Sequence, residues 1–355
     1  MLRSFAFAAL ALSSAALAAG KHHVLKATPE NVQWGWLDPK EAPRLTVDSG
    51  DTVSIETMFH ALDQISKELP MDEIVRLRLA NPGGGPHSVT GPIFVNGAEP
   101  SDVLEVGILR IVPKDFGQNF NLPGSKFPTG LLPGEFPEGF VRYYKLDAAK
   151  MRTEFKPGIT LPLKPFPGTL AVGVDPNEPK EKAGPPIRDA KGRTSTLRPW
   201  KNGSNMDLNE LQVGSTLYVP VFLKGGLIWM GDSHCLQGNG EVNLEALECA
   251  YKEIEIQPVV RKDIKLDWPR AETKTDWIFM GFDEDLTEAM KIAVRNTIDW
   301  LSAQQMVPMN RYEAYALTSL VGDCRVTQMV DIRKGVHCMV PKSIFSAHRT
   351  AGTPK

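Results

Sequence analysis

The sequence predicts an α+β chain that is predominantly β, with long loops and a smaller C-terminal α/β part. Three observations carry this. Apolar and polar residues alternate in Leu45-Thr-Val-Asp-Ser-Gly-Asp-Thr-Val-Ser-Ile-Glu56, and Val103 to Val112 is a strong strand pattern. The 30 glycines and 28 prolines fall in many short turn-like clusters, which suits a β-rich, loop-rich architecture better than a helical bundle. Helical spacing of apolar residues appears late, between Asp285 and Leu320.

Taken in order, the chain begins with a targeting pattern. Arg3 supplies a positive start, Phe5 to Leu17 is a short Ala- and Leu-rich run, and Ala16-Leu17-Ala18 fits a small-residue cleavage site. Residues 1–18 therefore read as a signal peptide, and the mature protein as periplasmic or secreted, with no membrane span after cleavage. Residues 19–175 form a β-rich part. In it, Ser49-Gly-Asp51 reads as the turn of a hairpin, and Asn81 to Pro92 as a loop. The Gly83–Gly85 run lacks the Gly-Lys-Ser/Thr that follows in a phosphate loop, so nucleotide binding is discounted. Residues 113–140 and 156–168, rich in Pro, Gly and Phe, read as long ordered loops. Residues 175–194 read as an exposed connection.

Residues 176–355 form the second part of one intertwined unit. Leu217 to Leu223 and Gly225 to Met230 read as strand, tight turn, strand. Asp285 to Gln305 carries Leu286, Met290, Ala293, Ile298 and Leu301 at helical spacing, with Asp283 or Thr287 as the start cap. A second helix is expected from Arg311 to Leu320, stopping at Gly322, and a strand from Cys324 to Val330.

Composition bounds the function. A hydrophobic fraction of 42%, a charged fraction of 23% and a formal net charge of −2 describe an ordinary globular chain, with no pull toward nucleic acid or an anionic membrane. The four cysteines, Cys235, Cys249, Cys324 and Cys338, allow three disulfide pairings, and sequence does not choose among them. None forms Cys-x-x-Cys, so a zinc knuckle is unsupported. Cys235 adjoins His234, but strand neighbours face opposite ways, so Cys235 reads as buried or disulfide-bonded rather than as a nucleophile.

The most informative segment is Gly231-Asp-Ser-His-Cys-Leu-Gln-Gly-Asn-Gly-Glu241. On a strand, residues i and i+2 share a face, so Asp232 and His234 point the same way. Glycines at 238 and 240 let the backbone fold back, so that Glu241 reaches the same spot. Asp, His and Glu converging on one point form a divalent-metal site. The plain alternative is a surface pair beside a hairpin turn.

Several segments together resemble the acetamidase/formamidase family of metal-dependent amide hydrolases. They are Val32-Gln-Trp-Gly-Trp36, Ser49-Gly-Asp-Thr-Val53, Thr90-Gly-Pro-Ile-Phe-Val-Asn-Gly-Ala-Glu-Pro-Ser-Asp102, Gly203-Ser-Asn-Met-Asp207, Gly214-Ser-Thr-Leu-Tyr-Val-Pro220, Gly231 to Glu241, and Glu313 to Asp323. The resemblance implies a β-sandwich-like core, hydrolysis of small linear amides to carboxylate and ammonia, and a homo-oligomer. Ser101 stands where the family usually has Gly, and Asn239 where it usually has Asp, which removes a negative charge near the expected site.

Amides resist water, and a divalent ion helps by acidifying a water and polarising the carbonyl. Asp232 and His234 are the expected metal ligands. His87, just before the family's Thr-Gly-Pro segment, is the third, with loop capping as its plain alternative. Glu241 is the expected acid/base, with a ligand role close behind. Asp207 is placed with it in catalysis, and Asn205, Glu99 and Asp102 are placed at the substrate. An Asx-turn would equally explain Asn205 and Asp207. His60 reads as a packed histidine rather than a ligand, and His22 and His23 as solvated. Zinc suits such a set best, with calcium or manganese open. The substrate expected is an acetamide- or formamide-like amide. The alternatives are an exported hydrolase of a larger amide and a non-catalytic periplasmic small-molecule binding protein on the same scaffold.

Overall fold

The structure is a computed structural model, and it describes residues 20–65, 68–180 and 188–345. The expected signal peptide, 1–18, lies outside them. The chain is predominantly β with few helices, as the sequence predicts. Among the described residues, seventeen strands join in one large curled sheet, with two short pairs beside it.

The strand Leu247–Arg261 is the spine of this sheet. It pairs antiparallel with Val103–Asn121 along nearly its whole length, and its start pairs with Ile228–Leu236. Ile228–Leu236 is flanked in turn by Ser88–Val95 and Phe166–Ala171. Strands from before and after residue 175 are thus interleaved. Their inward residues form one core that includes Ile55, Ile93, Leu104, Ile108, Met230 and Ile254. Burying each such side chain contributes about 1.5–3 kcal/mol. Cys235 is bonded to Cys249 and Cys324 to Cys338, each pair crosslinking neighbouring strands.

Three α-helices are present among the described residues: α1 (Met71–Ala80), α2 (Leu286–Ala303) and α3 (Arg311–Val321). In α2 the buried stripe Ala289, Ala293, Thr297, Ile298 and Leu301 lies on strands Asp276–Asp283 and Lys334–Pro341. The cap is Asp285, whose side chain accepts from the amides of Thr287 and Glu288, and is neither Asp283 nor Thr287. Asn310 and Glu313 form a reciprocal capping box at the start of α3, which ends at Gly322.

Other expectations change. Leu45–Val47 and Thr52–Ile55 are strands around the Ser-Gly-Asp turn, but they do not pair as a hairpin. Leu45–Val47 runs parallel to Ser88–Val95, and Thr52–Ile55 pairs with His22–Leu25 and Leu247–Arg261. The turn serves as a corner between sheet regions because long-range pairing offers each strand a better partner. Thr216–Pro220 and Ile228–Leu236 are both strands, yet the first pairs with Val103–Asn121 and Arg270–Glu272. The strand at Val103 runs on to Asn121, through Pro113 and three register shifts, so only part of 113–140 is loop. Within 156–168, Ile159–Pro162 pairs with Arg152–Lys156. Of the 175–194 connection, residues 181–187 lie outside the described residues.

Candidate functional site

The expected convergence at Asp232 and His234 has a precise cause in register. Ile228–Leu236 lies between Phe166–Ala171 and the start of Leu247–Arg261, and His234 is the cross-strand partner of Glu248. At Asp232 the backbone enters the left-handed region, with φ of 51°. A Cβ at Gly168 would lie 2.6 Å from His234 Cε1, 2.7 Å from Asp232 Oδ2 and 2.8 Å from Asp207 Oδ1, so only glycine fits beneath the cluster. The Gly168 carbonyl accepts from the amides of Met206 and Asp207 and fastens that turn in place.

His60 and His87 arrive from a second direction. After Thr52–Ile55 the chain turns through Ala61, Leu62 and Asp63, all at positive φ. The Ala61 amide donates to the Pro86 carbonyl, and the Leu62 amide donates to Ser88 Oγ. This docks the turn against the residues leading into Ser88–Val95 and brings the two imidazoles edge to face, 5.5 Å apart.

The cluster is tight and buried. His60 Nε2 is 3.1 Å from Asp232 Oδ1 and 3.2 Å from Glu248 Oε2. His234 Nε2 is 3.4 Å from Asp232 Oδ1 and 3.1 Å from Glu248 Oε1. His87 Nε2 is 3.7 Å from Asp232 Oδ1. On two of the rings the other nitrogen has a separate partner: His87 Nδ1 meets Thr196 Oγ1 at 2.9 Å, and His234 Nδ1 donates to Gln237 Oε1 at 2.9 Å. Such contacts orient these two imidazoles and leave their Nε2 atoms aimed at the cluster. His234 Nδ1 also lies 3.8 Å from Asp207 Oδ1, which begins an outer ring of acids. Glu241, Glu245, Asp207 and Asp331 line the same cavity.

Charge sorts itself within this group. Burial works against charge on His60 and His234, but Glu248 and Asp232 outweigh it, with Glu245 helping at His60, and hold both rings well above the usual histidine value. Conversely, burial opposes ionisation of Asp232 and Glu248, but the histidines overcome it. Asp232 is held well below the usual range and Glu248 at about 2. Burial, together with its cationic neighbours, drops His87 to about 4. The outer acids go the other way. Burial and then a neighbouring carboxylate raise Asp207, Glu241 and Glu245 well above normal, and burial brings Asp331 to about 7.

The donor set fits a divalent cation. Ligand atoms of Asp232, His234 and Glu248 lie within 4.8 Å of one another, as do those of His60, His87 and Asp232. His60 Nδ1, Glu245 Oε2, Glu248 Oε2 and both Asp207 carboxyl oxygens are buried without a hydrogen-bond partner. Protonated His60 and His234 balance ionised Asp232 and Glu248. Neutral imidazoles with one divalent ion balance the same two carboxylates.

The structure brings together Asp232, His234, His87, Glu241, Asp207 and Asn205. Asn205 is already engaged at both ends, accepting from Thr169 at 2.8 Å and donating to Asp331 at 2.8 Å. Glu99 and Asp102, expected at the substrate, are elsewhere. Asp102 accepts from the Glu99 amide and from Lys262 Nζ at 2.6 Å, while Glu99 lies 3.4 Å from Lys224. The turn between them puts Ser101 at φ 77°, which accounts for the family's glycine there. Asn239 is exposed and bonded to Asn209, outside the cavity, so the charge it lacks is a surface charge. His60, read as packed from the sequence, belongs to the cluster, and Glu245, Glu248 and Asp331 were missed. The run Glu241-x-x-x-Glu245-x-x-Glu248 directly after the glycine turn is the signal that would have found two of them.

The Acetamidase/Formamidase family profile matches residues 26–183 and 178–347. The chain belongs to this family. An acetamidase of Mycolicibacterium smegmatis is 27% identical over 61% of the chain and 62% of its own length. A formamidase of Methylophilus methylotrophus is 28% identical over 59% and 60%. The chain thus spans about 60% of the length of these curated acetamidase/formamidase relatives. Solved members of the family cover more. A recombinant predicted acetamidase/formamidase from Thermoanaerobacter tengcongensis superimposes with a TM-score of 0.77 at 26% identity, covering 94% of this chain and 99% of that one. An acetamidase from Yersinia enterocolitica gives 0.78 at 29%, covering 93% and 95%.

Proposed function

We propose that this protein is an exported, metal-dependent amidase that hydrolyses a linear amide to carboxylate and ammonia. One observation carries it: a buried knot of three histidines and two ionised carboxylates, ringed by protonatable acids, in a member of the acetamidase/formamidase family. His60, His87, Asp232, His234 and Glu248 would hold the ion, with zinc the best match to imidazole and carboxylate donors. The chemistry a divalent ion supplies in such a cage is polarisation of the carbonyl and acidification of water.

The chain's own residues do the rest. The cavity is small, about 60 Å³. At roughly 10–15 Å³ per water-sized position it takes about four to six such positions, enough for acetamide's four heavy atoms. Ile65, Ile74, Leu77 and Phe120 line it beside the acids, so bulk water is thinned around the reacting bond. Glu241, raised by burial, takes a proton more readily than an ordinary carboxylate and can pass it to the departing nitrogen. Asp207, raised by burial and by the neighbouring Asp331 carboxylate, is the second proton reservoir, and Asn205 holds Asp331 in place.

The export reading rests on the Arg3 to Ala18 pattern and on the two disulfides, which persist in oxidising compartments. The deciding experiment is ammonia release from formamide and acetamide by purified protein as isolated, after chelation, and after zinc return. Release that chelation removes and zinc restores is expected. No release from folded, metal-loaded protein overturns the short-amide assignment.

A further inference from the structure

The catalytic cavity shares a wall with a second depression. Leu122 and Thr129 line both, and the depression's other walls include Leu131, Leu132, Pro133, Phe136 and Val242. Its described lining contains no charged side chain. The depression is built into the site. Val242 directly follows Glu241, and its carbonyl accepts from the Leu131 amide at 2.9 Å. Asn243 Nδ2 donates to Asn119 Oδ1 at 2.7 Å, and the Gly124 amide donates to the Phe136 carbonyl at 3.1 Å, closing the loop on itself.

This groove leaves much apolar surface in water. Leu131 is 46% exposed, Leu132 50%, Phe136 56% and Val242 58%. Four large apolar side chains on one fastened loop and its neighbouring turn, sharing a wall with a reaction cavity, are a specificity feature more than scattered surface. The reaction cavity has room for roughly four to six water-sized positions. Hexanamide and longer amides exceed it, and the apolar depression lies directly behind Leu122 and Thr129.

We propose that the Leu131–Phe136 loop and Val242 form an acyl-chain subsite, so that the preferred substrates are primary amides of medium-length aliphatic acids. The inference rests on the amidase reading above. The amide group lies among the histidines and acids, and the alkyl tail runs past Leu122 and Thr129 onto Leu132 and Phe136. Each methylene that leaves water contributes about 0.8 kcal/mol, which is roughly a fourfold gain in kcat/KM per carbon.

The test is a series of kcat/KM values on zinc-loaded protein for acetamide, butyramide, hexanamide and octanamide. Rates are expected to climb two- to fourfold per carbon beyond butyramide, the range that partial to full burial of a methylene gives. Leu132→Ser and Phe136→Ser replace exposed side chains outside the catalytic group. They are expected to flatten the climb while acetamide turnover stays unchanged. A flat or falling series with acetamide still hydrolysed overturns the subsite and leaves the amidase reading standing. Variants that lower every amide equally, or that change the solution mass without changing the slope, also overturn it, the latter making the groove a contact between copies. No turnover of any amide sinks both readings.

Discussion

Asp207, Asp232 and Glu241 hold φ values of 54°, 51° and 46°, in the left-handed region that side chains other than glycine avoid. Each such residue costs about 1–3 kcal/mol, and three in one cavity mark strain held in place by the surrounding sheet. Glu241 is the plainest case, since aspartate tolerates this region better than glutamate does. Glu241→Gly removes both the strain and a buried acid. It is expected to raise the stability of the metal-free protein by about 1 kcal/mol while cutting amide turnover by about 10²–10⁴-fold. Chemical denaturation beside an ammonia assay reads both, and a variant that is less stable than the parent would show that the strain argument is wrong. The strain also explains what the sequence could reveal. Asp232, His234 and Glu241 were legible because an i, i+2 pair and two flanking glycines are local signals. His60 was not, because its neighbours give no sign that the Pro86 carbonyl and the Ser88 hydroxyl will catch its turn. Glu248 was hidden for the same reason, since its facing of His234 is a matter of register between strands.

Elements show the same division. α2 and α3 declared themselves through apolar spacing, and the Asn310–Glu313 box fixes where α3 starts. α1 was missed: Pro70 precedes it with no capping side chain, and only Ile74 and Leu77 are buried along it. The Cys235–Cys249 disulfide belongs to this scale as well. Cys235 follows His234 and Cys249 follows Glu248, so the covalent link locks the two strands beside the cross-strand pair that the cluster depends on. A pairing 14 residues apart is expected to stabilise the fold by about 3 kcal/mol. Its second effect is positional. The Cys235→Ser/Cys249→Ser double variant is expected to lose that stability and, in addition, to bind zinc at least about tenfold more weakly, the low end of what displaced supporting contacts cost. The Cys324→Ser/Cys338→Ser variant is the control, because that bond also spans 14 residues but lies under α2. It should lose comparable stability and keep zinc affinity. Equal loss of zinc in both variants would reduce the first disulfide to a general staple.

At the scale of the whole molecule, the cluster ties stability, metal and pH together. Five buried carboxyl groups, half-buried Asp331 and three buried imidazoles surround one cavity, and the metal-free protein tolerates them only by keeping protons on most of them. His60 and His234 have raised values in the fold, so the stability they contribute is complete below about 6.5 and is lost as pH rises through their folded values. Asp331, raised to about 7, acts in the same direction, giving up its contribution as pH rises through that value. His87 acts oppositely, but only below its ordinary value of about 6.5, since at about 4 in the fold it is already neutral above that. Between about pH 6.5 and 8 the metal-free protein is therefore expected to become less stable as pH rises. A bound divalent ion displaces the histidine protons, about two of them, so its affinity should strengthen over the same interval. The gap in Tm between zinc-loaded and chelated protein then widens with pH. With free zinc at about 100 times Kd the added stability is about 2.7 kcal/mol, which for a chain of this size is a shift of roughly 4 °C. Thermal melts at pH 6.5 and 8, with and without chelator, measure that gap directly, and calorimetry in two buffers of different ionisation enthalpy counts the protons. A gap that narrows with pH, or zinc binding without proton release, would mean that the histidines are not the groups the ion displaces, and the cage would have to be rebuilt around the outer acids.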